Sequence, residues 1–116
     1  MTGVNNNKIT MTRGDTFVST VSISDNGTPW TPEQGDVIHF AMKHQTMILG
    51  GKKYNDVEPI IVKTIPTDTM TLRIDPADTK SLDFGEYVYD IEVTFSDGNV
   101  DTVINNAPLT LLPEVY

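Results

Sequence analysis

The run "YVYDIEVTF", Tyr87 to Phe95, limits what this chain can fold into more than any other stretch. Tyr87, Tyr89, Ile91, Val93 and Phe95 form an apolar row, and Asp90, Glu92 and Thr94 fall between them. A period of two puts these rows on opposite sides of a half-buried strand. The pattern recurs. "VIHFAMKH" sets Ile38, Phe40 and Met42 against His39 and Lys43, and "TMTLRID" sets Met70, Leu72 and Ile74 against Thr71 and Arg73. "FVSTVSI" reads as one strand with Phe17, Ser19, Val21 and Ile23 on one face and Val18, Thr20 and Ser22 on the other. The β-branched residues in these runs suit pleated positions, because their χ1 angles are already restricted.

Turn chemistry separates the runs. "SDNGTP" (Ser24 to Pro29) and "SDGN" (Ser96 to Asn99) are rich in Asp, Asn and Gly, and the second reads as a hairpin between Gly85–Phe95 and Val100–Ile104. "NGTPWTPEQGD" reads as a loop, and "MILGGKKYNDVEP" as a longer connection with two glycines. "DPADTKSL" predicts one short helical turn, with Asp75 as cap and Pro76 early. Residues 1–7 are expected to form a flexible segment and residues 8–116 one domain, a normal length for a single core. About seven or eight short strands with intervening turns predict an all-β antiparallel sandwich or barrel.

"LDFGEYVY" narrows this expectation to an immunoglobulin-like sandwich. In that architecture a tyrosine near the start of strand F sends its hydroxyl back to backbone a few residues upstream. Tyr87, placed after a turn through Asp83 and Gly85, has the right order. Tyr89 stands where antibody domains carry a cysteine, and its ring is expected to fill the space between sheets. Trp30 is expected to plug the space between the sheets, to cover one end of the core or to stand in an interface.

Charge and composition exclude several functions. Eight Lys and Arg against sixteen Asp and Glu give a net charge of -8. The basic residues are scattered, so no stripe exists to displace phosphate counterions, and neither nucleic acid nor an anionic membrane surface is an expected partner. The opening "MTGVNNNKITM" has no apolar core of a secretory signal, and no apolar run nears the roughly 20 residues of a membrane span. With no cysteine, the chain has neither disulfides nor thiolate ligands, which fits synthesis in a cytoplasm.

Four groups of residues invite a site. Arg13-Gly14-Asp15 matches the adhesion tripeptide recognised by integrins. It lies in a short junction between Ile9–Thr12 and the strand beginning near Thr16, so a turn is the better reading. Gly14 would supply a positive φ, Asp15 would accept backbone N–H groups, and Arg13 would stack or pair across the junction. His39 and His44 are an odd number of residues apart, so one strand turns them to opposite faces and they cannot share a metal. Asp97, Asn99 and Asp101 have the spacing of half a calcium loop, but Pro108 occupies the position of its bidentate glutamate. Asp97 and Asp101 remain weak calcium candidates beside a plain hairpin turn, and Asp75 and Asp78 read as a helix cap. No G-x-S-x-G, H-E-x-x-H or phosphate-loop motif is present, so neither an enzyme nor a cofactor is expected.

Two segments carry a family resemblance. "ITMTRGDTFVSTVSI" and "LRIDPADTKSLDFGEYVYDIEVTFSDGNVDTVI" resemble small structural proteins from the tail, neck or baseplate regions of bacteriophages and prophages of Gram-positive bacteria. The N-terminal domain of baseplate upper proteins is similar. Its pattern I-T-M-x-R-G-D-T matches Ile9 to Thr16, D-T-x-x-L-x-x-G-x-Y-x-Y-D-I matches Asp78 to Ile91, and a hairpin like D-G-x-V-x-T-I corresponds to Asp97 to Ile104, where Val103 stands between Thr102 and Ile104. Baseplate upper proteins are usually longer than this chain. The resemblance implies a non-enzymatic virion component, made in the bacterial cytoplasm, that binds other virion proteins or copies of itself. Trp30, Tyr54 and Tyr116 are the expected interface residues, since aromatics anchor interfaces. The other reading is a carbohydrate-binding or adhesin-type sandwich, with aromatics in line on a sheet face and calcium in the acidic loops.

Overall fold

The computed structural model describes residues 8–44, 47–49, 52–54 and 58–114. Residues 1–7, expected to form the flexible segment, lie outside these. Eleven strands and one helical turn follow one another among the described residues: β1 (Ile9–Thr12), β2 (Phe17–Thr20), β3 (Ile23–Asp25), β4 (Thr28–Trp30), β5 (Val37–His44), β6 (Met47–Leu49), β7 (Lys52–Tyr54), β8 (Ile61–Ile65), β9 (Thr71–Ile74), α1 (Pro76–Thr79), β10 (Gly85–Thr94) and β11 (Val100–Leu112). No described helix is long and apolar enough to cross a membrane.

The alternating run from Tyr87 forms β10, the middle of a five-stranded sheet ordered β1-β11-β10-β5-β8. All neighbours are antiparallel except β1, which runs parallel to β11. A second layer is built from β2 and β9, paired antiparallel. Its apolar side, Leu72 and Ile74, enters the same core as Ile38, Phe40 and Met42 of β5, Tyr89, Ile91 and Val93 of β10, and Leu109 and Leu111 of β11. The result is an all-β, sandwich-like fold whose apolar rows are those of the alternating sequence.

The strand count exceeds the expected one for a local reason. "FVSTVSI" is not one strand. The chain breaks at Val21–Ser22, where the Val21 N–H donates to the Met70 carbonyl at 2.7 Å, and Met70 itself takes a φ of 52°. The first half pairs with β9, and the second pairs with β4. The β3–β4 hairpin turns at Asn26 and Gly27, with φ of 50° and 82°, the positive pair that matches the twist of flanking strands. Part of the segment read as a loop is therefore β4, and the "MILGGKKY" connection carries the β6–β7 hairpin.

β11 is longer than the sequence pattern suggests. Ile104 pairs with Ile91 and Ala107 pairs with Tyr89, so Asn105 and Asn106 together oppose Asp90. This bulge resets the alternation. The Asn106 N–H donates to Asp90 Oδ1 at 2.6 Å, and Asn106 takes a φ of 53°. Pro108 lies one residue before the β1 ladder begins at Leu109. At that point β11 is still an edge on one side, where proline is tolerated.

The predicted helical turn is α1, preceded by Asp75. The Asp75 N–H donates to the Asp78 carboxylate at 2.7 Å, which satisfies a donor the helix leaves free.

Candidate functional site

Two of the resemblance motifs, residues 9–16 and 78–91, meet at one joint between the two layers. Arg13, Gly14 and Asp15 form the turn that carries the chain from β1 to β2. The Asp15 N–H donates to the Thr12 carbonyl at 3.1 Å, and Gly14 takes a φ of 82°, as the third residue of a type II turn requires. The Gly14 N–H donates to Thr79 Oγ1 at 2.8 Å. Thr79 is fully buried at the end of α1, so this bond fixes the turn to the helix.

Arg13 reaches the bend before β10. Its Nη1 donates to the Leu82 carbonyl at 3.0 Å, and its Nη2 lies 3.4 Å from Glu114 Oε1. The guanidinium stacks 5.6 Å from the centre of the Phe84 ring, a favourable place for a cation. One residue along the same bend, the Asp83 carbonyl accepts from the Tyr87 hydroxyl at 2.7 Å. This is the bond of a tyrosine corner. Burial raises the Tyr87 pKa, the charge of Asp83 raises it further, and Arg13 draws it back. Gly85 opens β10 opposite Leu111. Tyr89 lies inside against Phe40, ring centres 5.3 Å apart, and burial pushes its phenol up to about 12. Asp15 plays a smaller part than expected: its carboxylate is exposed and accepts no hydrogen bond among the described residues.

A second connection between layers runs through Lys63. This residue of β8 pairs with Phe40, so it faces the core side of the sheet. Its Nζ lies 2.7 Å from Asp78 Oδ2 and 3.6 Å from Asp75 Oδ2. The hydrogen bond to Asp78 raises the Lys63 pKa. Asp75 also accepts from Arg73 Nε at 2.7 Å, and that bond holds its carboxyl below the usual aspartate range. Asp75 and Asp78 thus serve the cap and the contact between layers at once.

At the far end of β10, Trp30 and Phe95 meet edge to face, ring centres 6.2 Å apart. Both are half-buried against the core. They line an open depression of about 270 Å³ with Glu33, Asp36, Ser96 and Asp97. Asp36 ties the two loops there, accepting from the Glu33 N–H at 2.9 Å and the Ser96 N–H at 3.1 Å. A Cβ on Gly35 would stand 2.8 Å from Ser96 Cβ, so the approach of these loops demands glycine. Asp97 accepts from the Asn99 N–H at 2.9 Å and from Asn99 Nδ2 at 3.1 Å. It therefore works as a turn residue. Asp101 pairs with Val93 in β11. Among the described residues no cluster of three or more His, Cys, Asp or Glu side chains is placed to hold a metal ion.

The outer face of the main sheet carries a shallow depression of about 390 Å³ lined by His39, Ala41, Lys43, Pro59, Val62, Asp90 and Glu92. His39 pairs with Glu92, and Lys43 Nζ lies 3.6 Å from Asp90 Oδ2. His44, at the strand end, lies against Tyr87, with ring centres 5.5 Å apart. Among the described side chains, the aromatics that a glycan-binding face needs do not line up there: Phe40, Tyr87 and Tyr89 are buried, and Phe84 and Phe95 flank opposite ends of β10. Tyr116 lies outside the described residues, and of Tyr54 only the backbone, in β7, is described.

Sequence reading missed Thr79, Asp36 and Asp90. Each is a short polar side chain that serves a backbone amide in another segment, a relation with no periodicity. Only the "D-T" of the Asp78–Ile91 motif pointed toward Thr79. No family model, curated protein or solved structure matches the chain.

Proposed function

We propose that this protein is a non-enzymatic virion component of a bacteriophage or prophage, an adaptor or structural piece of the tail, baseplate or neck. It works by contact with other virion proteins or with copies of itself. One observation carries the reading. Two motifs that resemble the N-terminal domain of baseplate upper proteins, distant in sequence, join where Arg13 donates to the Leu82 carbonyl and the Gly14 amide donates to Thr79, beside the bend that Tyr87 braces. In a chain with that resemblance, an immunoglobulin-like domain braced in this way leaves its edges and end loops for partners. Arg-Gly-Asp then belongs to the bracing, since Arg13 and Gly14 face inward contacts.

The test is mass spectrometry of gradient-purified particles from the phage or prophage that encodes the chain. The reading expects the protein at a fixed ratio to tail proteins, and particles lacking it to be incomplete. Its absence from particles, with infectivity unchanged when its gene is deleted, would overturn the reading.

A further inference from the structure

We infer that two copies of this protein pair through β2, antiparallel about a two-fold axis at Ser19. The inference deepens the contact reading above by naming the partner of one edge. The edges of the fold are not alike. Natural sheets blunt their edges with inward charges, prolines or charged flanks. β8 has two of these devices: Lys63 points to the core side, and Pro59 and Pro66 bracket the strand. β9 carries Arg73 and runs directly into α1. β1 lies between Lys8 and Arg13. β2 lacks such protection. From Thr16 to Ser24 the chain has no charged residue and no proline, and Val18, Ser19 and Thr20 are exposed, Val18 by 56%.

The register makes this edge self-complementary. Phe17 pairs with Ile74, Ser19 with Leu72, and the Val21 N–H donates to Met70 one step beyond the ladder. Alternation in an antiparallel pair then turns the N–H and C=O groups of Phe17, Ser19 and Val21 toward β9, and those of Val18 and Thr20 away from it. A two-fold axis at Ser19 sets Val18 of one copy against Thr20 of the second, and Thr20 against Val18. Both pairs exchange their N–H and C=O bonds, and the two Ser19 residues face each other in the narrow, non-hydrogen-bonded position. Charge favours the same edge. Each copy carries -8, so an uncharged edge is where two copies approach at least electrostatic cost.

Light scattering of the intact chain across concentration should show the mass rising from 12.8 kDa toward twice that value. The native chain has no cysteine, so Ser19→Cys under mild oxidation should give a disulfide-linked dimer. Val62→Cys, also exposed but on the blunted β8 edge, should not. Thr20→Pro removes only an outward N–H and should raise the dissociation constant about tenfold or more at an unchanged melting temperature. If Thr20→Pro itself unfolds, Val18→Lys should give the same loss of dimer. The inference is overturned by a wild-type chain still monomeric at about 1 mM, by a dimer that both substitutions leave intact, or by Ser19→Cys crosslinking no faster than Val62→Cys. These results do not depend on particle composition, so failure of the virion reading shows separately.

Discussion

The Tyr87 hydroxyl donates to the Asp83 carbonyl at 2.7 Å, four residues upstream and across the bend that starts β10. The ring is buried, while Asp83 itself is exposed, so the bond ties a buried side chain to the surface bend. Tyr87→Phe keeps the ring and removes only this bond. It should cost about 1 kcal/mol, seen as a lower urea midpoint at unchanged slope. An unchanged midpoint would mean that the bond does not brace the bend.

Gly14 should be sensitive to substitution and Asp15 tolerant of it, although an adhesion ligand would need both. A Cβ at Gly14 would meet Glu114 Oε2 at 2.9 Å, at a φ of 82° that L side chains rarely adopt. Gly14→Ala should destabilise by about 1–2 kcal/mol in thermal or urea unfolding. Asp15→Ala, at an exposed carboxylate, should stay within about 0.5 kcal/mol of wild type. Cells spread on immobilised protein through integrins would contradict the structural role of the tripeptide.

Thr79 is the buried acceptor for the Gly14 amide. Thr79→Val keeps the shape and removes the oxygen, leaving that N–H without its partner. The expected cost is about 1–3 kcal/mol in the same assay, with faster hydrogen exchange at the Gly14 amide. Exchange unchanged from wild type would separate Thr79 from the turn.

Alkaline pH should weaken the fold before acid does so through these groups. Tyr89 titrates near 12 in the folded chain against an ordinary 10.0. Its raised value means the neutral phenol is favoured by folding. The contribution is therefore complete below pH 10.0 and is lost as pH rises toward about 12. Tyr87 and Lys63 are also raised and fade in the same direction. Asp75 is lowered from 3.8, so its contribution is present above that value and is lost as pH falls. Urea midpoints should drop steeply above pH 10.0, with Tyr89→Phe showing a shallower drop. A flat profile there would contradict the burial of these phenols.

The inward rows of β5, β9 and β10 were legible in sequence because burial on one face imposes a period of two. Tyr87 was legible too, since a corner tyrosine follows a turn at fixed spacing. The split between β2 and β3 was not. "FVSTVSI" alternates through the break, and only the tertiary bond from Val21 to Met70 ends the first strand. The bulge at Asn105 and Asn106 hid the length of β11 by shifting its phase. Arg13 was expected to pair or stack, but its acceptors at Leu82 and Glu114 are 69 and 101 residues away in sequence, beyond any local pattern. Asp15 was given a hydrogen-bonding role by its residue type, but unlike Asp97, which is exposed too, it finds no donor among the described residues.

A double-mutant cycle in urea, with Arg13→Met, Tyr87→Phe and the two combined, tests most directly whether the two resemblance motifs form one joint. Arg13 and Tyr87 brace adjacent carbonyls of the same bend. Losing either should loosen what the other holds, giving a coupling of at least about 0.5 kcal/mol. Costs that add to within about 0.3 kcal/mol would mean that the arginine and the tyrosine act separately, and the joint as described would not exist.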